Sequence, residues 1–287
     1  MAVYKRTYRG YSGDITPAWS RFLIIFRYSR RNLFRSKLMT GFFVLCFFAP
    51  VLALLGIYAN DHLGVLLGGP IGGAKLIKTD GGQFFLNFLN VQTAFAFILT
   101  AFIGPGLVSP DLANGALTVY LCRPISRVEY VLGKLSVLAI ILSWITWIPA
   151  LVLFFVQASL SGWDWMMQNL WIATGCFIAS WIWILSISLL ALALSAWVKW
   201  RIAAGGLLLG VLFIGAGFAL AINGVLQTQQ GYLLNLSKLI NIIWQDLFHD
   251  SGDRALPVAE AWFGVLAFAA GCFYLLMKKI RANEVVR

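Results

Sequence analysis

The sequence predicts an all-α integral membrane protein that crosses the bilayer six times. Of its 287 residues, 60% are hydrophobic and only 11% are charged, which lies outside the range of water-soluble domains. The hydrophobic residues also gather in six stretches, each close to the roughly 20 residues that cross a bilayer core as a helix. The predicted spans are 38–58, 83–107, 134–157, 167–195, 203–225 and 258–277.

The lysines and arginines predict how these spans are oriented. If the N-terminus is cytoplasmic, 18 of the 22 lysines and arginines fall in cytoplasmic segments and four fall in outer loops. Cytoplasmic loops of membrane proteins carry such an excess of positive charge. We therefore expect a multi-pass protein of the bacterial cytoplasmic (inner) membrane, with both termini in the cytoplasm. The net charge of +11 follows from this topology and requires no nucleic-acid partner.

Residues 1–37 form a separate N-terminal segment ahead of the six-span domain, 38–287. Thr16 and Pro17 have the residue types of a helix start, a hydroxyl cap followed by proline. Downstream, apolar side chains alternate at helical spacing with arginines, which predicts an amphipathic helix in the headgroup plane of the membrane. Its apolar stripe is Trp19, Phe22, Leu23 and Phe26, and its basic stripe is Arg27, Arg31 and Arg35.

The loop between the second and third spans, 109–134, contains two helix starts. Ser109 is a hydroxyl cap followed by Pro110, which predicts a short helix over 110–121. Ser126 and Glu129 have the spacing of a capping box, which predicts a helix that begins near residue 127 and runs into the third span. Just before this loop, the sequence 104–106 (Gly-Pro-Gly) should kink or end the second span. The short helix carries several apolar residues with no core of their own, which indicates contact with another protein.

Polar residues recur along one face of the second span. At 100° per residue they occupy less than half of the helix circumference. Polar groups at membrane depth face either a neighbouring helix, with which they form hydrogen bonds, or a water-filled path. We predict a path for a transported molecule, and bonding between helices is the alternative. The residues are Asn87, Asn90, Thr93, Phe97 and Thr100.

Small residues line one face of the fifth span, including Gly206, Gly210 and Gly217. Such a face permits close helix packing, either within the chain or against a second copy. The loop between the fifth and sixth spans, 226–257, has apolar residues at helical spacing. It predicts an amphipathic helix that lies on the outer membrane surface or dips into it, with or without a role as a lid.

The side chains that are missing exclude several functions. The four cysteines have neither a CxxC pair nor a spacing with histidine that suits a metal site. Acidic residues are nearly absent from the spans, which argues against a carrier driven by protons or sodium. The spans also lack the paired carboxylates or Ser/His sets of a membrane hydrolase.

The 109–134 loop resembles the first cytoplasmic loop of ABC-2 type permeases, the membrane-spanning subunits of ABC exporters. The residues that carry the resemblance are Pro110, Asp111, 115–117 (Gly-Ala-Leu), Tyr120, Leu121, 123–127 (Arg-Pro-Ile-Ser-Arg) and 130–134 (Tyr-Val-Leu-Gly-Lys). Family members often carry glutamate where Asp111 stands, so the charge is kept. The six spans, the basic N-terminal helix and the helical outer loop agree with the same family.

The resemblance implies a function and a set of partners. The short cytoplasmic helix would be a coupling helix that docks into the ATPase subunit, through Asp111, Leu112, Leu117, Tyr120 and Arg123. Two permease copies and two ATPase subunits would assemble, and the permease would export a substrate without being an enzyme itself. The chain has no G-x-x-x-x-G-K-[ST] loop, so ATP and Mg²⁺ would bind to the separate ATPase. A membrane anchor without transport is the alternative from another class, and a secondary carrier is less favoured.

Overall fold

The computed structural model describes residues 23, 26–29, 31, 36–66, 81–115, 126–198, 200–250, 252 and 254–280, with the backbone alone for 61–66. Every regular element in these residues is a helix. The helices are α1 (Lys37–Leu45), α2 (Phe48–Leu66), α3 (Gly82–Ile103), α4 (Pro105–Ala113), α5 (Arg127–Ile145), α6 (Trp147–Ser161), α7 (Trp163–Gln168), α8 (Leu170–Trp197), α9 (Arg201–Leu226), α10 (Leu236–Leu247) and α11 (Val258–Lys279), with a 3₁₀ helix, Gln230–Leu234, before α10. In the N-terminal segment, residues 23, 26–29 and 31 are helical.

Within the described residues, six helical segments are long and apolar enough to cross a membrane. Several of them combine two helices that meet at a break. They are Lys37–Asn60, Gly82–Ala113, Arg127–Ser161, Leu170–Trp197, Arg201–Leu226 and Val258–Lys279. The predicted all-helical fold and the six predicted spans are therefore confirmed, although the second and third segments extend well beyond the predicted ends.

Helix α8 forms the centre of the bundle. It is apolar on all sides and packs against α3 to α7 and against α9 to α11. Small residues such as Gly175, Ala179 and Ser180 are buried along it, which lets neighbouring helices approach closely. Helix α9 is the opposite case, since side chains such as Ile202 (91% exposed) and Val225 (81% exposed) lie on a large surface that the described helices leave uncovered.

Proline explains the break between α1 and α2. Pro50 has no N–H, so the carbonyl of Cys46, four residues earlier, loses its helical partner. The side chain of Gln92 on α3 replaces that partner, because its Nε2 donates a 2.8 Å hydrogen bond to the Cys46 oxygen. An unsatisfied buried carbonyl would cost about 1–3 kcal/mol, so this bond stabilises the break and joins the first span to the second.

A second break separates α3 from α4 at Gly104, directly before Pro105. This confirms the predicted interruption of the second span. The following turn of α4 is joined to α8 through one hydroxyl group. The N–H of Ser109 donates to Ser195 Oγ over 2.9 Å, and this hydroxyl donates to the Pro105 carbonyl over 3.0 Å. In a regular helix the Ser109 N–H would donate directly to the Pro105 carbonyl. Here the Ser195 hydroxyl lies between these two groups and bonds to both.

The predicted start of a cytoplasmic helix at Ser109–Pro110 is wrong. Helix α4 begins at Pro105, contains Pro110 in its interior and ends at Ala113. Ser109 does not act as a cap, because it is fully buried and its N–H is held by Ser195. Neighbouring side chains make an interior proline tolerable in membrane helices, and the sequence pattern alone does not reveal such a neighbour. The predicted helix beyond residue 115 lies outside the described residues.

The predicted capping box at the start of the third span is confirmed. The Ser126 N–H donates to Glu129 Oε2 over 2.6 Å, and the Glu129 N–H donates to Ser126 Oγ over 3.2 Å. Both bonds satisfy backbone donors that have no partner inside the helix. As a result α5 begins at Arg127, about two turns before position 134, where the third span was predicted to begin.

The predicted amphipathic helix after the fifth span is α10, but its apolar face is covered by protein. Leu239, Ile243 and Trp244 are buried, and the helix packs against α8, α9 and α11. The Trp244 indole N–H donates to the Ala179 carbonyl of α8 over 3.0 Å. The apolar face of α10 therefore forms part of the protein core, and the position of this helix relative to the membrane stays a prediction.

Two adjacent glycines on α9 have opposite surroundings. A Cβ atom at Gly205 would lie 2.7 Å from the Ala101 carbonyl oxygen of α3, so α9 can approach α3 only with glycine here. A Cβ atom at Gly206 would have no neighbour within 4 Å. The close contact inside the chain is thus made by Gly205, and the predicted small-residue face begins one position further on.

We predict that Gly205→Ala lowers the free energy of unfolding by about 1–3 kcal/mol, because the new methyl group meets backbone that cannot move freely. The matched control is Gly271→Ala on α11, where a Cβ atom would meet nothing within 4 Å; it should cost nothing and should gain up to about 1 kcal/mol from the better helix propensity of alanine. Unfolding of both variants in the same detergent measures the difference. Equal losses at the two positions would contradict this packing.

Candidate functional site

The described helices line an open cavity of about 360 Å³ near the α10 end of the bundle. Its wall is formed by residues of α3, α8, α9 and α10, together with the N-cap residue of α10. The lining residues are Asn90, Thr93, Ala94, Phe97, Trp183, Leu212, Phe213, Ala216, Asn235, Ser237, Ile240, Asn241 and Trp244. Three of the five residues predicted for a path, Asn90, Thr93 and Phe97, are among them.

Helix geometry explains why these three residues share one wall. They stand at spacings of three and four along α3, and such positions fall on one face of a helix. Thr93 is buried, and its hydroxyl lies within hydrogen-bond distance of the Leu89 carbonyl (2.7 Å) and the Asn90 carbonyl (3.2 Å). Its polar group is thus used by its own helix, and Asn90 is the residue of this stripe whose side chain remains available to a second molecule.

A second part of the lining comes from α10 and was not predicted. Asn241 Nδ2 donates a 3.3 Å hydrogen bond to Asn90 Oδ1, so α10 and α3 meet at one side of the cavity. Asn235 lies at the start of α10, where its side chain accepts from the Lys238 N–H over 3.1 Å. The sequence does mark Asn241 as a candidate site residue, because this polar residue interrupts the apolar run 239–243. What the sequence does not indicate is that this run packs beside the second span.

The remaining two residues of the predicted stripe lie elsewhere. Asn87 is exposed and does not line the cavity. Thr100 is fully buried, and its hydroxyl donates to the Ala96 carbonyl over 2.8 Å. Neither the path nor the alternative, bonding between helices, describes Thr100, because its hydrogen-bond partner lies on its own helix.

The electrostatic character of the cavity is neutral. None of its lining residues carries a formal charge, and four aromatic rings contribute to the wall, those of Phe97, Trp183, Phe213 and Trp244. The Trp244 N–H is occupied by Ala179, so this residue offers its ring rather than a donor. Among the residues that the structure describes, no group of three or more His, Cys, Asp or Glu side chains is placed to hold a metal ion.

A second polar cluster joins α4 to the start of the third span. Lys134 Nζ lies 2.8 Å from Asp111 Oδ2, and the Tyr130 hydroxyl donates to the same oxygen over 2.8 Å. Lys134 also donates to Ser29 Oγ of the N-terminal segment over 3.3 Å, and its ammonium lies 5.6 Å from the centre of the Tyr130 ring. Lys134 thus connects three segments that lie far apart in the sequence: the N-terminal segment through Ser29, α4 through Asp111, and α5 itself.

This cluster bears on the residues predicted to dock an ATPase. The Asp111 carboxylate is held by two groups of the chain itself, and Leu112 packs against the core. Docking through them stays a prediction, although both side chains have partners inside the protein. Leu117, Tyr120 and Arg123 lie outside the described residues.

The glycines predicted as a packing or dimer face are uncovered within the chain. A Cβ atom at Gly206 or Gly217 would meet nothing within 4 Å, and one at Gly210 would reach only Ile214 of the same helix, at 3.9 Å. Exposed apolar side chains, such as Phe213 and Phe218, surround this face. A second copy as the partner of this face stays a prediction.

Comparison with protein-family models finds no matching family, and comparison with curated protein sequences finds no match.

We predict that Lys134→Met lowers the free energy of unfolding by about 3 kcal/mol, because it leaves the Asp111 carboxylate largely buried without its counter-charge. The double variant Asp111→Asn/Lys134→Met should recover part of that loss. The Asp246–Arg254 pair is the matched control, because its atoms are also 2.8 Å apart but its side chains are 45% and 33% exposed. Arg254→Met should cost less than about 1 kcal/mol. Similar losses in the two single variants would contradict a special role for the buried pair.

Proposed function

We propose that the chain is the membrane-spanning permease subunit of an ABC transporter. It exports a substrate across the cytoplasmic membrane, and a separate ATPase subunit hydrolyses ATP to drive the transport. Two permease copies and two ATPase subunits form the complex, and the uncovered face of α9, with Gly206, Gly210 and Gly217, is the region that we assign to contact between the copies.

The observation that carries the proposal is the cavity beside α3. A transported molecule needs a space among the spans in which polar groups compensate for the water it loses. The cavity supplies such a space, and the polar residues that line it include Asn90 and Asn241, whose amides are partly exposed. A protein that only anchors cytoplasmic partners has no need of this space, so the cavity favours a permease over an anchor.

The loop resemblance supplies the second support, and the described contacts fit it. The residues that resemble a coupling helix begin inside α4, at Pro110 and Asp111, and α4 is bonded to α5 through Asp111 and Lys134 and to α8 through Ser195. A displacement of this loop by a partner would therefore reach the bundle through rigid helices rather than through a flexible linker.

Helix α8 provides a route from the loop to the cavity. Ser195, near one end, holds α4, and Trp183, 12 residues earlier, lines the cavity. These two positions are about 18 Å apart along a continuous helix. In the proposed mechanism, closure of the ATPase pair moves the coupling helix and α4, and α8 and α3 then shift together and reshape the cavity.

The docking prediction tests the proposal directly. Leu117→Asp should uncouple the complex, because an aspartate at an apolar contact would be buried without a partner. The measurement is recovery of a Walker-containing ATPase with the tagged chain from its native membranes, together with ATP hydrolysis by the complex. Val128→Asp is the matched control, since this exposed residue lies in the first turn of α5, where an acid is tolerated. Normal ATPase recovery and hydrolysis with Leu117→Asp would place docking elsewhere.

Thiol accessibility tests the path. Cysteine at position 90 or 97, in a chain without its four native cysteines, should react with a small water-soluble reagent, and the rate should change when ATP is added to the full complex. The adjacent positions 89 and 96 are the controls, because Leu89 and Ala96 are fully buried in the core. Protection at all four positions, with and without ATP, would exclude a hydrated path along this face.

A further inference from the structure

The walls of the cavity differ in chemistry, and this difference narrows the kind of molecule that fits. One side carries an amide pair, Asn90 and Asn241, and the other walls carry aromatic and aliphatic side chains. The volume of about 360 Å³ falls in the range of about 300–1,000 Å³ that is typical of sites for small molecules.

The amide pair keeps both a donor and an acceptor free. The bond from Asn241 Nδ2 to Asn90 Oδ1 occupies one group on each side chain. Each amide has two N–H donors and a carbonyl oxygen, so Asn90 retains its N–H groups and Asn241 retains its carbonyl. A ligand group that both donates and accepts, such as a hydroxyl or an amide, complements this arrangement, because it bonds to both asparagines at once.

The aromatic wall suits an apolar body. Trp183 is nearly fully buried, and Trp244 is fixed by its hydrogen bond to α8, so both rings are held in place before any ligand arrives. A rigid apolar wall costs little conformational entropy on binding. The ligand body would lie against these rings while its polar group reaches the amide pair.

The absence of charge among the lining residues disfavours ionic ligands. A carboxylate or an ammonium group would lose hydration on entry and would find no opposite charge in the wall. Lys238, on the same helix as Asn241, is not a lining residue, and its ammonium lies 5.8 Å from the centre of the Tyr232 ring.

We propose that this cavity binds a neutral amphipathic molecule whose hydroxyl or amide group bonds to Asn90 and Asn241 while its apolar body packs on Trp183 and Trp244. The inference rests on the proposed function only in identifying this ligand with the transported substrate. Binding itself requires neither the ATPase nor nucleotide.

The test uses the detergent-purified chain alone, with its native cysteines replaced and a single reporter cysteine at position 94, an exposed position in the lining of the cavity. The probes are 2-naphthaleneethanol, which is neutral, 2-naphthaleneacetate, which is an anion, and 2-(2-naphthyl)ethylammonium, which is a cation. All three share the same apolar ring system. The neutral alcohol should slow labelling of the reporter in a saturable manner, and the two charged probes should not. A reporter at position 91, exposed on α3 outside the cavity, should remain unprotected.

Variants of the amide pair separate a specific site from partitioning into detergent. Asn90→Leu should weaken protection by the alcohol about tenfold, the effect of losing one hydrogen bond of about 1.4 kcal/mol. Asn241→Leu should do the same and provides a second measurement if one variant folds poorly. Asn87→Leu is the matched control, since Asn87 lies on the same helix but outside the cavity, and it should change nothing.

Four results would overturn the inference. They are no protection by the alcohol, equal protection by the charged probes, equal protection at position 91, and unchanged protection in both amide variants. Failure of the proposed function would give a different set of results. The isolated chain would still bind the neutral alcohol, but no transport driven by an ATPase would be found.

Discussion

The structure depends on hydrogen bonds that side chains of one span make to backbone groups of another where a helix is interrupted. Inside a membrane no water is available to satisfy a freed carbonyl group, so another part of the protein must supply the donor. Gln92 supplies it for Cys46, and the Ser195 hydroxyl stands between Ser109 and Pro105. Each replacement also joins two spans, so the breaks that end individual helices tie the bundle together.

These bonds also determine where the cavity lies. Helix α3 is held to the first span by Gln92 and is continued by α4, which Ser195 binds to α8. Helix α10 is held to α8 by Trp244, one turn after Asn241. With α3 and α10 each anchored to other elements, the amide pair formed by Asn90 and Asn241 faces a space that the bundle does not close.

Much of this architecture was predictable from local patterns. Apolar length gives the six spans, Ser126 and Glu129 give the start of α5, and the spacing of Asn90, Thr93 and Phe97 places these residues on one face. The parts that were not predicted depend on long-range contacts. Ser109 and Pro110 have the residue types of a helix start, but they lie inside α4, where Ser195, 86 residues away, accepts from the Ser109 N–H. The apolar face of α10 would suit a membrane surface equally well, and only the packing of α8, α9 and α11 around it makes it part of the core.

The cavity itself also required the structure. Asn90 was identified from the sequence, but its partner Asn241 is 151 positions further along the chain. Asn87 and Thr100 share the polarity of Asn90, and differ from it only in what surrounds them. Asn87 is exposed and Thr100 bonds to its own helix. Both results depend on how the helices pack, which the periodicity of the sequence does not predict.

The central claim is that the cavity belongs to a path whose shape the ATPase controls. The most direct measurement is dipolar broadening between spin labels at position 94 of α3 and position 237 of α10, recorded on the full complex with and without ATP. The account predicts that ATP changes the separation across the cavity, whereas a label pair at two exposed positions of α8, 178 and 185, keeps its separation. An unchanged separation between 94 and 237 in a complex that hydrolyses ATP would contradict the account.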